Sequence, residues 1–318
     1  MSAEEERDGV RLTNLDQPLF PGAEASKRDL VDYLDALADR LVPQFAGRPL
    51  SVVRVLRGQK PFMQKNLPKY TPDWVRRVTL WAESSRREVS YALCEDRRTL
   101  LWFANQRAVE YHPPLMRVDA PDRPTHLVLD IDPPEGGGFA VAARAAHLVR
   151  RALDDSGLRG AVKTSGAKGV HVFVPLDGGD PVEDVAAATR ALAARAERLD
   201  PGLATTAFIR EDREGRVFLD STRAGTGTVA AAYSPRIRPG TPVSFPVPWD
   251  DLDAVDPKAF TLRAALGLIG DGDPWAAAMP APQGLPADLV EEGRAIPVAR
   301  VQAMHEGKRR ARARRTGA

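Results

Sequence analysis

The chain is poor in the features that would mark it as secreted, membrane-bound or cysteine-metal-binding. One cysteine, Cys94, in 318 residues excludes an internal disulfide and a cysteine-rich zinc site, and fits a reducing cytoplasm. No apolar run approaches the length of a membrane span. The N-terminal MSAEEERDG is acidic and polar where a signal peptide would carry an apolar core. Lys+Arg 45 against Asp+Glu 43 leaves a net charge of only +2, so nucleic-acid binding would have to come from local patches. No internal repeat is present. What remains is an ordinary soluble composition, 43% apolar and 28% charged, long enough for one large core or two modest ones.

Periodicity gives two regions. In the first, Ser26 and Asp29 form a helix-start signal, and Leu30, Leu34, Leu37 and Leu41 follow at helical spacing with Pro43 just beyond. Residues 50–56, 76–82 and 88–93 read as strands and 98–106 as a helix, with a basic, aromatic segment at 57–70. From Thr125 the rhythm becomes strand (125–132), helix (139–155), two short strands (159–163 and 169–175), helix (182–199) and strand (216–220). Beyond residue 270 the chain is rich in Pro, Gly and Ala and ends in a basic block at 308–315. Such a block is either a solvated tail or a source of salt-sensitive phosphate contacts.

Three patterns carry chemistry. Asp130-Ile131-Asp132 ends an apolar strand, and side-chain alternation puts both carboxylates on one face. Their mutual repulsion is relieved by a hard divalent cation, or by solvent if this is simply a strand end before a turn. Ser165-Gly166-Ala167-Lys168-Gly169-Val170-His171 is a turn with exposed backbone N–H groups, a hydroxyl and two cationic side chains, suited to a triphosphate. It lacks the Gly-Lys-Ser/Thr of a P-loop, and its glycines could serve hairpin geometry alone. A third acid, Asp220, ends Val217-Phe218-Leu219, with Arg210, Arg213 and Arg216 before it and Tyr233-Ser234-Pro235-Arg236 after it. Acids for cations and cations for phosphates are what two-metal phosphoryl transfer requires.

These three motifs resemble those of the archaeo-eukaryotic primase superfamily, in particular the polymerase domain of bacterial DNA ligase D. The resemblance covers about residues 10–270 and includes Arg11-Leu12-Thr13-Asn14, Gly47-Arg48-Pro49, Lys65-Asn66-Leu67-Pro68 and Glu110-Tyr111-His112. It implies an α+β (mixed α/β) primase-polymerase fold. An N-terminal α/β module (about 10–120) would sit against an RRM-like catalytic module (about 121–270) within a unit spanning 1–270, with 271–318 as a separate tail. It implies that Asp130, Asp132 and Asp220 hold two divalent ions, Mn²⁺ or Mg²⁺. Ser165, Lys168, His171 and Arg236 would hold the triphosphate, and His112 would lie near the sugar, where a ribonucleotide 2′-hydroxyl is recognised. Asn14, Lys27, Arg54 and Phe62 would meet DNA.

The implied function is template-dependent addition of nucleotides, ribonucleotides preferred, to a primer 3′-end in DNA repair by end joining or gap filling. Its partners would be gapped or broken primer-template DNA, NTP or dNTP, and a separate ligase and Ku protein. The implied location is the cytoplasm, at the nucleoid, with no membrane. Some positions depart from the family pattern. Gln17 stands in place of one of two lysines that hold a DNA 5′-phosphate, Met63 replaces an aromatic, and Ala224 replaces an asparagine. No Lys-x-Asp-Gly nucleotidylation motif and no His/Asp-rich phosphoesterase segment is present, so a stand-alone polymerase-like chain is expected. The alternatives are a non-catalytic DNA-end or single-strand binding module that recruits a ligase, and a metal-dependent phosphodiesterase.

Overall fold

The computed structural model describes residues 4–82, 86–224 and 227–298. Where the sequence suggests a polar leader, β1 (Glu5–Arg7) and β2 (Val10–Leu12) form an antiparallel hairpin that buries Val10 and Leu12. Helix α1 (Lys27–Ala36) starts on Ser26, whose side chain accepts from the Asp29 N–H while the Asp29 carboxylate accepts from the Ser26 N–H. The helix does not run unbroken to Leu41. It stops at Leu37 and resumes as α2 (Ala38–Phe45), which continues through Pro43. Proline removes one intrahelical hydrogen bond there, and burial of Ala38, Leu41 and Phe45 holds the short helix in place.

Next come β3 (Pro49–Arg54), β4 (Phe62–Gln64), β5 (Arg77–Ala82), β6 (Arg87–Leu93), α3 (Arg97–Asn105) and β7 (Ala108–His112). Their sheet runs β4-β3-β6-β5, with β7 also paired to β3. The second module contains β8 (His126–Asp132), α4 (Phe139–Asp155), β9 (Ala161–Thr164), β10 (Val170–Pro175), α5 (Val182–Leu199), β11 (Ala204–Thr205) and β12 (Val217–Asp220). Its sheet order is β11-β12-β8-β10-β9, and only the β11–β12 pair is parallel. Without β11, this is a βαββαβ unit with its four strands in the spatial order fourth, first, third, second. That is the RRM-like arrangement, and the expected fold class stands.

Alternation along these strands divides the core in two. Leu127, Leu129, Ile131, Val170, Val172, Val174, Val217 and Leu219 pack with α4 and α5. Val128 and Phe173 lie on the opposite face and join the core of the N-terminal module. Asp130, His171 and Asp220 have the same strand parity as that second group, so the chemistry lies on the face turned toward the first module.

Three more helices follow: α6 (Leu262–Ile269), α7 (Pro274–Ala278) and α8 (Ala287–Ala295). The sequence sets off everything after 270. Helix α8, however, packs on α5, burying Leu289 and tying Arg195 to Glu292 at 2.7 Å and Arg294 to Asp184 at 2.5 Å. The basic block at 308–315 lies outside the described residues. Among those residues, no helix is long and apolar enough to cross a membrane.

Candidate active site

The site is one rung of the second sheet. Asp220 on β12 pairs with Asp130 on β8, Asp130 with His171 on β10, and His171 with Lys163 on β9. Directly opposed residues of antiparallel strands hold their Cβ atoms about 5 Å apart, so register alone places four ionisable groups in a row. His171 Nε2 lies 3.3 Å from Asp130 Oδ1, and Lys163 Nζ lies 2.7 Å from His171 Nδ1. All four residues are buried. Burial, followed by the Lys163 charge, lowers the His171 imidazole to about 4, so the ring is neutral at physiological pH. Burial alone would lift the Asp130 carboxyl, but His171 and Arg223 outweigh it and hold the group well below the carboxylate range.

Asp132 lies two residues on, at the open end of β8, opposite Phe218. Loss of solvent around its carboxyl and the nearby Asp130 charge push it upward, the expected result when like charges crowd one spot. Arg223 relieves part of that crowding: its guanidinium lies 2.7 Å from Asp130 Oδ2 and 3.0 Å from Asp220 Oδ2. Thr222 secures Asp220 from the other side, donating its backbone N–H at 2.8 Å and its hydroxyl at 2.6 Å to Oδ1. Among the described residues, no group of three or more His, Cys, Asp or Glu side chains is arranged to hold a metal ion. An arginine bridges the acids instead. The donor set is nonetheless what a hard divalent cation takes, oxygen ligands from carboxylates on adjacent strands, and Arg223 occupies the place where positive charge is required.

The glycine-rich turn is built for close approach. Gly166 has φ +69°, and a Cβ there would come within 2.5 Å of Arg236 Cγ and 2.9 Å of the Ser244 nitrogen. At Gly169 a Cβ would lie 2.5 Å from the Ile131 carbonyl oxygen, so only glycine lets the turn close against β8. The Ser165 hydroxyl accepts from the Ala167 and Gly169 N–H groups at 3.2 and 3.1 Å, so it shapes the turn from inside. Lys168 is exposed at the tip. Arg236 donates to the Ser165 carbonyl, which connects the Tyr233–Arg236 segment to the turn.

Glu110 connects the remaining pair, and its role is not evident from the sequence. Its Oε2 lies 2.8 Å from His112 Nε2 and 3.2 Å from Arg236 Nε, and its Oε1 accepts from the Ile237 N–H at 2.8 Å. Burial opposes its charge, but these partners prevail and hold it at about 2. Burial also lowers His112, which is therefore neutral and donates Nε2–H to Glu110. Lys163, Thr222, Arg223 and Glu110 are polar residues of the site that sequence reading misses. The Glu-Tyr-His pattern contained the only signal for any of them.

The four expected DNA contacts do not form one surface. Lys27 is buried, donating to the Thr13 carbonyl at 2.5 Å and to Asn105 Oδ1 at 2.6 Å, and burial lowers it to about 8. Arg54 is also buried, with hydrogen bonds to the Gln106 carbonyl at 2.8 Å and Gln64 Oε1 at 2.6 Å. Asn14 is exposed in a left-handed turn, 3.4 Å from the Gln17 side chain. Phe62 is half-exposed, beneath the Arg54 guanidinium, and lines a groove of about 900 Å³ with Met63, Lys65, Trp81, Arg87 and Tyr91. Of the three spaced arginines, Arg213 stacks over Phe218 at 3.7 Å, Arg216 bonds backbone carbonyls, and Arg210 is exposed.

Known proteins share this architecture. The polymerase domain of Mycobacterium tuberculosis Ligase D, solved in complex with DNA, superposes with a TM-score of 0.76 at 34% identity, covering 86% of this chain and 98% of that one. The multifunctional non-homologous end joining DNA repair protein LigD of M. tuberculosis is 37% identical over 286 residues, and the bifunctional LigD of Bacillus subtilis is 31% identical over 265. These cover 86% and 82% of this chain but only 37% and 42% of the relatives, so the chain spans well under half the length of either protein. The profile described as LigD, primase-polymerase domain, matches residues 26–275. The chain belongs to the LigD primase-polymerase domain family.

Proposed function

We propose that the chain is a template-dependent polymerase that adds nucleotides to a primer 3′-end by nucleotidyl transfer, ribonucleotides preferred, in the repair of DNA breaks or gaps. The observation that carries this is the single rung Asp220–Asp130–His171, with the Ser165–Gly169 turn closing against its edge. Acids stand beside an imidazole and a glycine-rich turn on one face, a pairing that supports this reading. A scaffold that merely bound DNA would gain nothing from burying such a row.

Asp130, Asp132 and Asp220 would hold the divalent ions, Mn²⁺ or Mg²⁺, in place of Arg223. When bound, the ions would supply charge neutralisation at the attacking and leaving oxygens. Lys168, His171 and Arg236 would hold the triphosphate, with Ser165 presenting the backbone of the turn. Arg236 is tied to Glu110 through Nε and to the Ser165 carbonyl, which fixes its guanidinium beside the turn. At His112, Glu110 accepts from Nε2–H and leaves Nδ1 an acceptor for a sugar 2′-hydroxyl, which favours ribonucleotides.

Template bases would stack in the groove of Phe62 and Trp81, the latter 58% exposed. Recognition of a DNA 5′-phosphate is weakened, because Gln17 carries no charge and Lys27 is engaged internally. A separate ligase and a Ku protein would be its partners, at the nucleoid in the cytoplasm. The test is Asp130→Ala combined with Asp132→Ala, assayed on a gapped primer-template with Mn²⁺. Extension should fall to background, and undiminished extension rejects the assignment.

A further inference from the structure

Lys163 is the fourth member of the rung, and the nucleotide reading gives it no role. It is fully buried on β9, facing His171. An ammonium removed from water needs an acceptor for each of its three N–H bonds. Lys163 has three: His171 Nδ1 at 2.7 Å, the Ala230 carbonyl at 2.8 Å and Ser244 Oγ at 2.6 Å. The Ser244 hydroxyl donates its own hydrogen to the Thr164 carbonyl at 2.8 Å, so it can only accept from Lys163. A carbonyl can only accept. Burial pulls the Lys163 amine well below its ordinary range, yet only the protonated amine gives each of the three acceptors a hydrogen, provided that Nδ1 of His171 carries none.

The hydrogen then sits on Nε2, 3.3 Å from Asp130 Oδ1. The opposite tautomer fails at both ends of the ring. Nδ1–H would face an ammonium, and a bare Nε2 lone pair would face a carboxylate. We propose that Lys163 is a positioning residue that locks His171 in the Nε2–H tautomer, so that the ring always presents an N–H donor to the Asp130 side of the site. This deepens the reading of His171 as a triphosphate ligand and rests on it in one respect. A phosphate oxygen would take the same donor, whereas an imidazole free to change tautomer would offer a repelling lone pair part of the time. Lys163 touches neither acid nor nucleotide and acts through His171.

The experiment uses the full chain labelled with ¹⁵N. Long-range ¹H–¹⁵N correlation of the imidazoles reads the tautomer directly, and His171→Gln identifies which of the five histidines is His171. The unaltered protein should show a pyrrole-type Nε2 and a pyridine-type Nδ1 at that residue. Lys163→Met should give mixed tautomers and about tenfold weaker binding of Mg-ATP by calorimetry. Lys163→Gln, whose amide still donates to Nδ1, should keep the tautomer and recover most of the binding.

A hydrogen on Nδ1 in the unaltered protein, or an unchanged single tautomer in Lys163→Met, would overturn the proposal. A purely structural lysine would lower the unfolding temperature of both variants and leave the tautomer alone. If Lys163→Met fails to fold, a hydrogen on Nδ1 in the unaltered protein or in Lys163→Gln would still overturn the proposal. Failure of the unaltered protein to bind Mg-ATP would instead reject the triphosphate reading, with the spectrum still judging Lys163.

Discussion

Replacing Glu110 by Gln should destabilise the protein more than any comparably conservative change at the surface. The carboxylate is buried between His112 Nε2 at 2.8 Å and Arg236 Nε at 3.2 Å. Its shift from 4.5 to about 2 corresponds to about 3 kcal/mol of stability at neutral pH. Because the folded value is depressed, that contribution is present above pH 4.5 and is lost as pH falls toward 2, with roughly 60% of it gone by pH 3. Glutamine keeps an acceptor for the Ile237 N–H but leaves the Arg236 guanidinium uncompensated in the interior. Urea unfolding of both proteins from pH 7 to pH 3 should give a gap of about 3 kcal/mol at pH 7 that narrows on acidification. A gap below about 1 kcal/mol, or one that does not change with pH, would refute the reasoning. The variant should also raise KM for the nucleotide, since His112 and Arg236 lose their common anchor.

Three further outcomes are expected. Arg223→Gln removes the guanidinium that bridges Asp130 and Asp220, so it should weaken the metal-free fold and tighten Mn²⁺ binding several-fold; free-Mn²⁺ electron paramagnetic resonance checks this, and unchanged affinity would contradict it. Gly166→Ala forces a Cβ to 2.5 Å from Arg236 Cγ at φ +69°, and should cost about 1–3 kcal/mol in unfolding while raising nucleotide KM. Removing the 5′-phosphate from a gapped DNA should reduce its affinity for this chain less than about threefold. A loss of about tenfold, roughly 1.4 kcal/mol, would mean that Lys27 leaves its internal partners to hold the phosphate.

The sequence reveals elements whose signal is local. Helix α4 begins and ends where its apolar spacing says, at 139 and 155, and α5 likewise at 182 and 199. Short strands are another matter. The three residues of β4 and the two of β11 are strands only because a partner lies beside them, and β7 is buried throughout and shows no alternation. The same distinction governs the site. Asp130, Asp132, Ser165, Lys168 and His171 stand in recognisable strings. Lys163 looks like an ordinary strand residue until register places it opposite His171, and Arg223 looks like a loop cation until it bridges two acids. Lys27 and Arg54 show the reverse. Both are expected to meet DNA, and both are buried by tertiary contacts that no local pattern encodes.

Nucleotidyl transfer at the carboxylate rung is read by incorporation of one labelled ribonucleotide opposite its template base in a single-nucleotide gap, comparing the unaltered chain with Asp220→Asn under single-turnover conditions. The unaltered chain should incorporate the nucleotide, and the variant should lose roughly a hundredfold or more of that rate if the rung carries the transfer. No incorporation by the unaltered chain, or equal rates for the two proteins, would contradict it.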